Sequence, residues 1–182
     1  MSIFKSESVI LKQKRNLEQD FIYTIFTKDF WKILVNKKFS KKEKKLDIGF
    51  LINCEIIVKE EKNIHKIRNI KIKWDFLSKK RCFEEINYYL ELLSFIDKNI
   101  AFWISIPEIY EIMKEINSIK NCNKTKLILA KLKIKNIIWE LDLSHKNKTI
   151  EKILKFINQN NIKKILKLNW INKELEKELE KI

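Results

Sequence analysis

The chain has 182 residues, 45 % apolar and 11 % aromatic, which supplies a core and excludes disordered or collagen-like classes. Lys and Arg number 39 against 24 Asp and Glu, a formal charge of +15 that favours a polyanionic partner and is silent on fold. No apolar run reaches the roughly 18 residues that span a bilayer, and the three scattered cysteines (Cys54, Cys82, Cys122) exclude a disulfide framework.

Residues 1–77 read as strands. Ile3, Phe4, Val9 and Leu11 are spaced through the charged first stretch, which has no apolar segment of the secretory-signal kind. Residues 21–26 are a β-branched and aromatic run, residues 32–35 a third short run, and residues 50–58 a fourth. Residues 65–74 alternate with period two toward their end. Five short strands with short connections favour a small closed barrel, because an open sheet would leave its edges exposed.

The pattern changes after residues 77–81. Phe83, Ile86, Leu90, Leu93 and Ile96 fall at helical spacing, Pro107 suits the first turn of a helix over residues 108–119, and Asn123 to Thr125 opens another. In that helix Leu127, Leu129, Leu132, Ile134, Ile137, Ile138 and Leu141 fill more than one face. Thr149 is expected to cap a helix ending at Asn158, a short segment covers residues 162–168, and Asn172 caps the last helix. The expectation is an α+β protein with a β domain over residues 1–77 and a helical domain over residues 78–182. No Gly/Ser/Pro linker separates them, so the two parts should pack together.

Composition tempers the charge. Lys outnumbers Arg 36 to 3, and Lys, Ile and Asn fill 86 positions, as an A/T-rich coding sequence produces without selection on the protein. A single glycine, Gly49, accompanies five tryptophans. Two readings stand: ordinary tryptophans, or UGA codons that the source organism reads as glycine. Trp31, where a hairpin should turn, and Trp170, after an apolar helix, prompt the second.

The basic excess is local. Residues 1–80 carry 20 basic and 10 acidic groups, and residues 28–45 alone hold eight lysines against Asp29 and Glu43. Lys32, Lys37, Lys38, Lys41, Lys42, Lys44 and Lys45, with Phe39 among them, suit phosphate neutralisation and base stacking. Lys12, Lys14 and Arg15 close the first strand and could flank the same groove. The competing reading is a solvated loop coloured by codon bias. His65 and His145 are lone imidazoles, and no phosphate-loop, dinucleotide, HExxH or GxSxG pattern occurs. No catalysis, cofactor or metal site is expected.

Several short motifs, in order, resemble the bacterial RecO family of DNA repair and recombination mediators. They are Ser8-Val9-Ile10-Leu11-Lys12, Thr27-Lys28-Asp29-Phe30-Trp31-Lys32, the basic Asn36-Lys37-Lys38-Phe39-Ser40-Lys41-Lys42, Ile86-Asn87-Tyr88-Tyr89-Leu90-Glu91-Leu92-Leu93 and Ile138-Trp139-Glu140-Leu141. Trp31 and Trp139 fall where that family favours glycine. The resemblance implies an N-terminal OB-type barrel, a helical lobe, single-stranded DNA binding, strand annealing and help in loading a recombinase. It also implies two partners, a RecR-type protein and the acidic C-terminal tail of single-strand-binding protein. Two departures accompany it: the family's four-cysteine zinc module is missing, and Lys stands where relatives often carry Arg, which weakens bidentate phosphate grips. The rival expectation is an OB-fold RNA-binding or translation-associated protein. A third reading is a helical scaffold whose charge is compositional. A cytoplasmic location is expected.

Overall fold

The computed structural model describes residues 2–15, 20–38, 45–58, 62–77, 81–102, 104–120, 122–139 and 141–182. Five strands come first: β1 (Ser2–Arg15), β2 (Phe21–Thr27), β3 (Lys32–Lys37), β4 (Leu51–Val58) and β5 (Ile64–Trp74). They pair in the order β1-β2-β3-β5-β4, with β4 returning to β1, so the sheet closes on itself. All pairings are antiparallel except β3 with β5. Closure gives every strand two neighbours, although β3 and β5 pair only over Leu34–Asn36 and Ile64–Lys66.

The residues choose the faces. Tyr23, Ile25, Ile33, Val35, Ile52, Cys54, Ile56 and Ile67 fill the interior, with Leu46 and Phe50 from the β3–β4 connection packed among them. Burial in this apolar setting pushes the Cys54 thiol up to about 11, so it stays protonated. Three register irregularities adjust the sheet. One lies between Ile10 and Lys12, a second between Leu51 and Ile52 sets Lys73 of β5 apart from the pairing, and the third sets Asn69 and Ile70 of β5 opposite Cys54. Val9, Ile10 and Leu11 are all buried because this part of β1 is covered on both faces.

Helices cover the sheet on the side of β1. α1 (Phe83–Asn99), α2 (Pro107–Ser118), α3 (Lys124–Trp139), α4 (Lys148–Gln159), α5 (Ile162–Ile165) and α6 (Lys173–Lys181) follow in order. α3 is apolar on several faces because α1, α2, α4, α5 and α6 all pack on it. Asparagine caps α4, α5 and α6: Asn147, Asn161 and Asn172 accept from the backbone N–H of Thr149, Lys164 and Leu175. The fourth helix is thus capped by Asn147 and not by Thr149, whose own N–H is the donor at 3.0 Å.

One core joins the two parts. Val9, Leu11, Phe26 and Leu51 of the sheet pack with Phe76, Tyr89, Leu93, Ile109 and Met113. Gly49, at φ +83°, approaches so closely that a Cβ there would lie 2.6 Å from Tyr89 Cε1. The Tyr89 hydroxyl donates to the Gly49 carbonyl at 3.0 Å and accepts from Asn117 Nδ2 at 2.8 Å, while its ring stacks on Phe76 at 3.9 Å. Arg81 lies over Phe76 and donates to the carbonyls of Ile119 and Cys122, tying the first interlobe residues to the end of α2.

The turn from β2 to β3 needs no glycine. Thr27 Oγ1 accepts from the N–H of Phe30 and Trp31 and donates to the Trp31 carbonyl. Among the described residues only Asn69 and Gly49 have left-handed φ. Trp31, Trp74, Trp139 and Trp170 therefore occupy backbone that tryptophan adopts without strain, and Trp103 lies outside the described residues.

Candidate nucleic-acid interface

Register across the sheet sets three parallel rows. Arg15 pairs with Phe21, and Phe21 with Lys37. One residue inward, Lys14, Ile22, Asn36 and Lys66 form a row across β1, β2, β3 and β5. The next row, Gln13, Tyr23, Val35 and His65, turns the other way, and its last three members are buried in the interior. Residues paired across strands share a face, and alternate residues take opposite faces. Lys14 and Lys66 therefore stand on the outer surface with half-buried Ile22 and Asn36 between them. At about 4.8 Å per strand, they are separated by roughly 14 Å.

The end of the sheet adds a second cationic group. Phe21 is half-buried, 6.1 Å from Tyr23 in a stacked arrangement, and the Lys45 ammonium lies 5.7 Å above its ring. Arg15 and Lys37 are its register neighbours. Lys38, 76 % exposed, faces Asp20 at 4.0 Å, a contact whose energy in water is slight. Cations around a half-exposed ring are what a phosphate chain with stackable bases requires.

The candidates thus divide. Lys12, Lys14, Arg15, Lys37, Lys38 and Lys45 lie on this end or on the adjoining outer face of β1. Phe39, Lys41, Lys42 and Lys44 lie outside the described residues. Lys32 goes elsewhere. It is 4 % exposed, donates to the Asp97 carbonyl at 2.6 Å, stands 3.6 Å from the Asp97 carboxylate and lies over the Phe102 ring. That carbonyl belongs to the last turn of α1, where unpaired C=O groups and the helix dipole favour a cation. Lys32 fastens the sheet to α1 and is withdrawn from any outer-surface contact.

The structure adds residues that the lysine count of residues 28–45 concealed. β5 presents Lys66, Arg68, Lys71 and Lys73 to solvent. Plain alternation cannot place both Arg68 and Lys71 outward. The bulge at Asn69, with φ 53°, inserts the extra residue that restores the outward side. Glu55 is the local counterweight: it accepts from Arg68 Nε at 2.8 Å and Asn69 Nδ2 at 2.9 Å, which hold its carboxyl below the usual range. Lys5, Asn53, Glu55, Asn69 and Lys71 line an open groove of about 480 Å³ beside it.

Among the described residues no group of three or more His, Cys, Asp or Glu is placed to hold a metal ion, and no helix is long and apolar enough to cross a membrane. No protein-family model matches the chain, and no curated protein matches it.

Proposed function

We propose that this protein binds single-stranded DNA across the outer face of an OB-type barrel and acts as a RecO-like recombination and repair mediator. The strand order with a parallel β3–β5 closure supports the OB-type reading, since that five-stranded fold uses its β2–β3 face for oligonucleotides. The observation that carries the binding reading is the cationic surface formed by Lys14 and Lys66 in one row and by Arg15, Lys37, Lys38 and Lys45 around Phe21.

Phosphates neutralised there lose much of their mutual repulsion, so a second complementary strand can approach and pair. The protein makes and breaks no covalent bond in this scheme. It anneals strands and helps to seat a recombinase, together with a RecR-type protein. The acidic C-terminal tail of single-strand-binding protein docks on the helical lobe. Trp139, 54 % exposed at the end of α3, meets Phe95 edge-on at 5.5 Å, and the Lys131 and Lys135 ammoniums lie within 6 Å of the same ring. That pairing of an exposed aromatic with two cations suits an acidic, apolar-tipped peptide.

Competition binding of matched single-stranded DNA and RNA, read by fluorescence anisotropy at several salt concentrations, tests the proposal. Salt-dependent binding with DNA preferred supports it. Preference for RNA assigns the surface to the rival RNA-binding role, and absence of salt-dependent binding to either polymer refutes it.

A further inference from the structure

Away from Arg15 and Lys37, toward the start of β1 and β3, the interior of the sheet opens into a pocket of about 160 Å³. Phe4 of β1, Ile33 of β3, Ile56 of β4 and His65 of β5 line it, with Phe30 and Trp31 from the β2–β3 turn. Its rings stand at steep angles: Phe4 to Phe30 at 4.8 Å and 60°, Phe30 to Trp31 at 5.8 Å and 75°. Ring faces and edges are both presented, the arrangement that holds a further planar ring through offset and edge contacts. Phe4 is 36 % exposed, so the enclosure is not sealed.

The chemistry of the lining selects an uncharged occupant. Burial holds the His65 imidazole below its ordinary range, so it is neutral at pH 7. Among the described lining residues a phosphate or carboxylate would find no cation. Size narrows the choice further. An apolar cavity of about 150 Å³ takes one benzene-sized ring, and this pocket has nearly that volume. A single six-membered ring fits where a fused bicycle is crowded.

Position supplies the source of that ring. His65 points inward while its neighbour Lys66 stands outward in the row with Asn36, Ile22 and Lys14. Exposed Lys62 precedes the same strand. Lys66 adjoins His65 of the lining near the first residue of β5, on the opposite side of the strand. We propose that this pocket receives one unpaired pyrimidine base, turned inward from a single strand bound along the Lys14–Lys66 row. The inference rests on the nucleic-acid reading above and adds to it a base-holding site and a preference for pyrimidine.

The test is photocrosslinking of an oligothymidylate bearing one 5-iodouracil, with mass-spectrometric mapping of the attached residue. Crosslinks at Phe4, Phe30, Trp31 or His65 are expected. Val58→Trp, at the pocket lining, should fill the space and abolish those crosslinks. It should also weaken binding about five-fold or more, the loss of one stacked base, while the salt slope is retained. Phe4→Leu removes a ring but keeps apolar volume, so it guards against a misfolded first variant: reduced crosslinking with an unchanged melting temperature supports the pocket. Crosslinks confined to Phe21 or other outer residues, with both variants binding as wild type, overturn the pocket and leave the interface standing. Absence of any salt-dependent binding overturns both.

Discussion

Gly49→Ala probes the joint between sheet and helices most sharply. Gly49 is the only glycine in the chain, at φ +83°, with Tyr89 Cε1 2.6 Å from where the new Cβ would stand. The left-handed backbone alone costs an L-residue about 1–2 kcal/mol. Tyr89 cannot yield freely, because its hydroxyl bridges the Gly49 carbonyl and Asn117 and its ring is stacked on Phe76. Breaking either buried hydrogen bond adds about 1 kcal/mol. The sum, about 2–3 kcal/mol, lowers Tm by roughly 4–12 °C for a domain of this size. Urea and thermal unfolding followed by circular dichroism measure it. Tyr89→Phe, which removes only the hydroxyl, should lose about 1–2 kcal/mol and serves as the scale. A Gly49→Ala loss no greater than the ~0.5 kcal/mol of an ordinary surface change would refute the packing argument.

Three further outcomes are expected. Lys32→Met removes a charge-assisted hydrogen bond to the Asp97 carbonyl and should cost about 1.5–3 kcal/mol, while nucleic-acid affinity and its salt slope stay at wild-type values. Because burial lowers the His65 pKa, the unfolded chain takes up its proton first as pH falls. Stability is therefore complete above about pH 6.5 and declines on acidification below it; His65→Gln should flatten that part of a Tm-against-pH profile. Peptide mass spectrometry of the protein from its source organism should find Trp at position 31, since the Thr27-bonded turn needs no left-handed residue there. Glycine at that position would establish recoding.

Much of the fold is legible because local chemistry and tertiary demand agree. The β-branched and aromatic run at residues 21–26 is a strand, Pro107 starts α2, and Asn172 caps α6. The several apolar faces of α3 announce a central helix. What escapes the sequence depends on distant partners. Nothing near Lys32 says that Asp97, 65 positions away, will bury it. The outward cations of β5 are hidden by a parity change at Asn69 that only pairing with β4 reveals. Likewise the cluster at Phe21 draws Arg15, Lys37 and Lys45 from separate segments, and only register brings them together. Asn147 and Thr149 are both able caps, and the choice between them rests on where the first helical turn begins.

The salt dependence of single-stranded DNA binding by two quadruple variants tests the central claim most directly. Lys14, Lys37, Lys38 and Lys66 changed to Ala remove cations from the proposed surface, whereas Lys167, Lys173, Lys177 and Lys181 changed to Ala remove the same charge from the C-terminal part of the helical lobe. Each phosphate contact on a single strand contributes about −0.7 to the slope of log K against log salt, so the first variant should flatten it by roughly 2–3 units. The second should leave the slope near wild type. Equal losses from both variants would mean that net charge alone attracts the strand and would contradict a binding surface on the sheet.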